Sequence, residues 1–343
     1  MRCRPSPRWI AALAAAAALL GIPAAAQATL AYVKAPLHRA VYAAADNGSG
    51  AHKIGQGSNP HVSPDGNSIA YLHEGPGHAQ ELKLAPASGG PSRTLLKAWR
   101  DPFYLAFTPD SKTIAALSGP ELGKRELVLI GGGARRVVAI GYFNGFSFSP
   151  DGSELVYSKG ATEALPSHSD IFRVPAEGGK AVRLTNDRVS LDPLWGPDGT
   201  IVFVRQLGGK KRKYGPKNDL FTMNREGRRV RRLTHTKVEP LLQGLFPTEW
   251  SGNGSRLLAE FEGQDTSYAV TVNPKTGAQK ALDKRNQGET GFVGTAISGD
   301  GTAVLGYTGG FDPGSKHDVA TFPYGGGKAK VLAKNAFEPD WSR

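Results

Sequence analysis

The sequence predicts an all-β chain built from one repeated four-strand unit. Three observations lead there. A short turn motif recurs at near-constant spacing, each copy is followed by a second strand–turn–strand pattern, and the two chain ends each carry part of one further unit. Self-similarity at a period of roughly 20–50 residues is the mark of repeat architectures, so it has to be settled before any site is considered.

The chain opens MRCRPSPRWIAALAAAAALLGIPAAAQATL. Arg2, Arg4 and Arg8 form a basic start, Trp9 to Ile22 is apolar, and Ala26-Gln27-Ala28 has a small-x-small pattern. This predicts a secretory leader over residues 1–28, cleaved near Ala28, and a single domain over 29–343. The apolar stretch is too short to be a spanning helix, which needs about 20 residues, and no later stretch is long and apolar enough. The only cysteine, Cys3, lies within the leader, so the mature domain is expected to have no disulfide, no cysteine nucleophile and no thiolate metal ligand. Net charge is +12, or +9 without the three leader arginines. A basic exported protein suits anionic neighbours, such as an envelope polymer or an acidic protein surface, and nucleic acid is not expected as a partner.

The turn motif reads VSPDGNSIAY, FTPDSKTIAA, FSPDGSELVY, WGPDGTIVF, WSGNGSRLLA and ISGDGTAVLG. Its anchors are Asp65, Asp110, Asp151, Asp198, Asn253 and Asp300, spaced 45, 41, 47, 55 and 47 residues apart. Pro presets the first corner of a β-turn, Asp suits the next, and Gly accepts the left-handed conformation that returns the chain. β-branched and aliphatic residues follow at strand spacing. Each motif is therefore read as a hairpin tip, and its Asp as structural, because a residue used six times at one turn is not an active site.

After each hairpin comes an alternating run, a Gly-bearing turn and another run, as in ELVLIGGGARRVVAI or DLFTMNREGRRVRRL. Four antiparallel strands every ~45 residues is the period of a β-propeller blade. EPDWSR at 338–343 reads as a first strand, and residues 30–57 read as the three strands that complete it. The expected fold is a seven-bladed β-propeller closed by N- and C-terminal strands sharing one blade. Six blades with an irregular N-terminal segment is the alternative.

The repeated Ser-Pro-Asp-Gly, the aromatic before it, and the strands Asp170-Ile171-Phe172 and Asp219-Leu220-Phe221 resemble the TolB-like, or WD-like (PD40-type), propeller repeats. The resemblance covers nearly all of the mature chain. It implies the fold, and it says little about activity, because this architecture hosts unrelated functions. The separate N-terminal α/β domain of TolB has no counterpart here, so TolB's partner binding is not carried over.

In a four-stranded meander the first and third turns share one end, which here is regular. The second turns and blade-to-blade links share the other, which is irregular, and loop variation on a rigid scaffold is where binding tends to sit. The candidate ligand-binding residues on that end are Lys210, Lys211, Arg212, Lys213, Tyr214 and Lys217 in the longest loop, with His73, His78, His168 and His317 in equivalent loops. Acids entering the inner strands are Asp101, Asp192, Glu249, Glu338 and Asp340, and Asp170 and Asp219 recur at one blade position where bonds to backbone N–H groups are expected. No HExxH and no Gly-x-Ser-x-Gly motif is present. No catalytic residue, resident metal or other cofactor is expected. The function expected is that of a non-catalytic propeller binding a protein or an anionic envelope glycan. The alternative is a metal-dependent lyase or hydrolase of an anionic saccharide, which would need the four histidines to converge with channel-mouth acids.

Overall fold

The computed structural model describes residues 29–34, 39–75, 79–98, 104–119, 123–161, 168–208, 216–239, 241–264, 266–283, 291–309 and 316–342. Among these residues there are strands and turns and no helix, hence none long and apolar enough to cross a membrane. The leader assigned to 1–28 lies outside the described residues.

One sheet joins the two ends of the chain, in the order β27 (Ala336–Trp341), β1 (Thr29–Lys34), β2 (Ala40–Ala45) and β3 (His52–Gln56). Leu30 stands opposite Trp341, and Lys34 opposite Ala336. The pairing of residues 30–57 with the C-terminal segment is the arrangement expected of a shared unit. The next sheet holds β4 (Ser58–Val62), β5 (Ser68–Glu74), β6 (Gln80–Pro86) and β7 (Arg93–Ala98).

The following two units share a strand. β8 (Leu105–Phe107), β9 (Thr113–Ser118) and β10 (Arg125–Gly131) pair onto the first half of β11 (Ala134–Phe148). The second half of β11 begins the next meander, with β12 (Glu154–Gly160), β13 (Ser169–Pro175) and β14 (Val182–Arg183). Then come β15 (Ser190–Trp195), β16 (Ile201–Leu207), β17 (Lys217–Met223) and β18 (Arg231–Arg232). A single parallel bridge, Asn218 to Gly244, links them to β19 (Leu242–Trp250), β20 (Leu257–Gly263), β21 (Ser267–Val272) and β22 (Gln279–Ala281). The last sheet is β23 (Val293–Ile297), β24 (Ala303–Thr308), β25 (Asp318–Pro323) and β26 (Lys330–Lys334).

The turn motif explains how each unit starts. Ser63 Oγ donates to Asp65 Oδ1 (2.6 Å), the Asn67 N–H donates to the same oxygen (3.1 Å), and the Ser68 N–H donates to Ser63 Oγ (2.9 Å). The same three bonds recur around Asp110, Asp151, Asn253 and Asp300. Where Gly196 replaces the hydroxyl residue, Asp198 takes the N–H and hydroxyl of Thr200 instead. The turn glycines 66, 152, 199, 254 and 301 have φ between 66° and 81°, and Ser111 adopts φ 63° in the copy that lacks glycine. An L residue there costs roughly 1–2 kcal/mol, offset in part by Ser111 Oγ accepting the Asp65 N–H (3.1 Å) from the neighbouring unit.

The core lies between successive sheets, since every strand face alternates inward and outward. Ala31 and Val33 pack on Ile69 and Tyr71, and Leu72 and Leu82 on Ile114 and Val128. Leu117 and Leu127 pack on Leu155 and Tyr157, and Val156 and Ile171 on Phe203 and Phe221. Val204 and Leu220 meet Leu257, Leu258 meets Ile297, and Leu305 and Val319 meet Leu30 and Trp341. Packing thus also joins the last sheet to the first, and β27 touches both β4 and β23.

Candidate functional site

Three sets of side chains stand out, and the sequence grouped only some of them. The first is organised by Asp170, the second residue of β13. Its side chain is buried. Oδ1 accepts the N–H groups of Asp187 (2.9 Å) and Arg188 (3.1 Å) and the Thr185 hydroxyl (3.2 Å), while Oδ2 accepts Arg183 Nη2 (2.5 Å). One carboxylate thus fixes the link from β14 to β15, as the backbone-bonding expectation required. Asp219 repeats the device with Arg232 Nη2 (2.6 Å), Thr234 and Thr236. Arg232 thus belongs to an ion pair, and Arg225 pairs with Glu154 (2.9 Å).

Next to Asp170 lies a pocket of about 450 Å³ walled by Lys159, Gly160, Ala161, His168, Phe172, Arg183 and Arg188. It sits where the second turn of this unit meets the link to the next, on the irregular end. Lys159 Nζ stands 5.1 Å from the centre of the Phe172 ring, whose other neighbour is Tyr157, stacked at 5.6 Å. Arg188 holds φ 58°, an uncommon conformation for a residue with a Cβ, and its N–H bond to Asp170 keeps it there. Asn335 (φ 52°) repeats the arrangement, its N–H bonded to Asp318 Oδ1 (3.0 Å), so this backbone shape belongs to the links themselves. Three cations, Lys159, Arg183 and Arg188, line the pocket with one carboxylate, Asp170, which is already engaged by Arg183 and by the Asp187 and Arg188 N–H groups.

The second set lines the inner strands. Glu338 Oε2 accepts the Asn59 N–H (2.7 Å), Asp340 Oδ2 the Val62 N–H (2.7 Å), and Glu249 Oε2 the Ile297 N–H (2.6 Å). These acids tie β27 to β4 and β19 to β23, a structural role. Asp192 differs: its N–H donates to Ser158 Oγ (3.1 Å), and burial, with Glu262 adding, pushes its carboxyl up to about 8. Burial likewise pushes Glu260 up to about 7, against the Ser267 hydroxyl bond that lowers it, and raises Glu262. Carboxyls that face one another in a confined space favour holding a proton.

The third set is the histidines. His73 Nδ1 bonds the Gln56 carbonyl (2.9 Å), and His317 Nδ1 bonds the Thr308 carbonyl (3.0 Å) with its ring against Tyr307 and Phe337. His168 lies in the pocket above, and His78 lies outside the described residues. His73, His168 and His317 therefore occupy separate units. Among the described residues no three His, Cys, Asp or Glu side chains are grouped so as to hold a metal ion. Lys210, Lys211, Arg212, Lys213 and Tyr214 also lie outside the described residues, as does Asp101. Lys217 donates to the Thr236 carbonyl (3.2 Å), which fixes it against the neighbouring link.

Sequence reading singled out His168 and missed Lys159, Arg183 and Arg188. A signal for the clamp exists: DIF is followed by VRLT, and DLF by RRLT, at the same separation. The cations repeat as well: Lys159 and Arg205 stand opposite Asp170 and Asp219, and Arg188 in TNDRV aligns with Lys237 in THTKV.

No protein-family model matches the chain, and no curated protein matches it in sequence. Solved structures do match it in fold. The β-propeller domain of the Trilobed protease from Pyrococcus furiosus superposes with a TM-score of 0.61 at 15% identity, over 89% of this chain and 91% of that one. TolB from Acinetobacter baumannii superposes with a TM-score of 0.58 at 19% identity, over 94% of this chain and 69% of that one. Oligogalacturonate lyase from Vibrio parahaemolyticus superposes with a TM-score of 0.59 at 15% identity, over 90% and 85%. At these identities the likeness speaks for the fold. With the repeated turn and the meander units, it establishes that this chain folds as a TolB-like β-propeller.

Proposed function

We propose that the protein is an exported, non-catalytic β-propeller that binds an anionic partner, a protein or an envelope glycan, through its irregular end. The observation that carries this reading is the pocket beside Asp170, where Lys159 and Arg188 carry charge that no described carboxylate answers. In this reading the four-stranded units are seven blades of one closed ring, with β27 and β1 sharing a blade. A stiff ring holds its loops in fixed relation, which lowers the ordering cost of binding. The basic balance of the chain, +12 overall, would draw anionic partners in by long-range attraction.

Titration calorimetry with polyglutamate and with a polyuronate tests this. Binding of either should weaken with added salt and fall at least tenfold in Lys159→Glu. It should be unchanged in Arg135→Glu, at the turn of the β10–β11 hairpin on the regular end. Equal loss in both variants, or no binding of either polymer, overturns the assignment to the irregular end.

A further inference from the structure

We propose that the pocket beside Asp170 takes one carboxylate-bearing sugar residue of an anionic glycan. This rests on the reading of the irregular end as the binding face, and it narrows that reading to a ligand class. The first ground is a break in the repeat. Lys159 and Arg205 occupy equivalent positions, opposite Asp170 and Asp219 respectively, and each cation stands over the aromatic two residues further on, Phe172 (5.1 Å) or Phe221 (4.8 Å). Arg205 is neutralised by Asp187 (2.6 Å). Lys159 has no carboxylate partner among the described residues. The same architecture thus presents a paired cation in one unit and an open one in the other.

The second ground is how the open cation is flanked. Arg188 holds its left-handed backbone against Asp170, and its guanidinium has no partner among the described residues. Arg183 is held by Asp170 (2.5 Å) and by the Thr185 carbonyl, which accepts from Nε (2.9 Å). It therefore serves as wall, and leaves Lys159 and Arg188 as the two groups able to accept a new anion. A planar carboxylate suits the fork of a guanidinium in two parallel bonds.

The third ground is size and lining. About 450 Å³ lies within the range of small-molecule pockets, roughly 300–1,000 Å³. A single Asp or Glu side chain, or a bare phosphate, would leave most of it unfilled. The walls are largely apolar, with Gly160, Ala161 and Phe172 beside the three cations. Charged heads with apolar stems cover surface in this way. A pyranose carrying a carboxylate offers C–H faces to such walls and one charge to the cations. Lys159 and Tyr157 already contact the Phe172 ring, so the sugar would meet the part of the aromatic that they leave exposed.

The test uses the full mature chain and four probes: a tetrauronate, its methyl ester, a neutral tetrasaccharide of the same linkages, and hexaglutamate. Arg188→Gly suits the φ at that site, and Lys159→Met keeps the stem, so both variants should fold; circular dichroism and melting confirm it. The tetrauronate should bind and weaken at least tenfold in each variant, and the ester and neutral sugar should not bind. Hexaglutamate binding through the same two residues with a silent tetrauronate would overturn the sugar inference while leaving the binding face intact. Tetrauronate binding untouched by either substitution would overturn the pocket, and no binding of any anionic probe would overturn both readings.

Discussion

Replacing Trp341 with Ala tests whether the C-terminal strand completes the fold. Trp341 pairs with Leu30 across β27 and β1 and packs with Leu30, Leu305 and Val319. It is 9% exposed, against 7% for Trp195 and 5% for Trp250, the residues at the same position in two other units. Removing a buried Trp side chain costs about 3–5 kcal/mol. At roughly 2–4 °C per kcal/mol for domains of 150–250 residues, with a chain of this length at the lower end, the melting temperature should fall by about 6–10 °C. Trp195→Ala and Trp250→Ala supply the scale, read by circular dichroism on heating and by urea unfolding. If all three fall together, β27 is as integral as any inner strand. A shift under about 2 °C for Trp341→Ala, beside a full loss at Trp195, would show that the terminal strand is an ornament and that the fold does not depend on it.

The remaining predictions concern charge and backbone. Asp219→Ala leaves the buried Thr234 and Thr236 hydroxyls and the part-exposed Arg232 without their acceptor, so it should cost about 1–3 kcal/mol in urea unfolding; a loss under about 0.5 kcal/mol would refute the clamp. Asp192, raised from 3.8 to about 8, holds a proton in the folded chain that the unfolded chain releases, so its contribution is full below about 3.8 and is lost as pH rises to about 8. Asp192→Asn should therefore gain stability over the parent at pH 8 and not at pH 4, and an equal difference at both would contradict the burial account. Asp151 runs the other way: bonds from the Ser149 hydroxyl and the Ser153 N–H lower it to about 2, so its contribution holds above 3.8 and fades as pH falls towards 2. Asp151→Asn should be nearly neutral at pH 7, since Asn253 makes the same bonds in its own turn (2.9 and 3.0 Å), and should remove that share of acid sensitivity in melts at pH 2–4. Gly277→Ala places a Cβ against the Leu233 carbonyl at φ 74°, and should cost more than the roughly 1 kcal/mol of an unhindered left-handed Ala.

How much was legible in sequence follows from how local each feature is. The turn is written within six residues, because hydroxyl, carboxylate and glycine act on each other's backbone, and so it recurs visibly from Asp65 to Asp300. The site is not local. Lys159, His168, Arg183 and Arg188 come from β12, the second turn, β14 and the following link, and only the meander brings them to one pocket. Histidines that looked equivalent by loop position stay in separate units, because each unit places its second turn around its own edge.

By itself the sequence determined the strand period, the hairpin tips and the sharing of one sheet by both chain ends, since spacing and turn chemistry are properties of neighbouring residues. Tertiary structure decided which charges remain open. Arg205 and Lys159 are equivalent in the repeat, and the difference between them is Asp187, a carboxylate that reaches Arg205 from the link before β15, while Lys159 has no carboxylate partner among the described residues. Whether a cation is answered depends on distances across strands, which no spacing along the chain records.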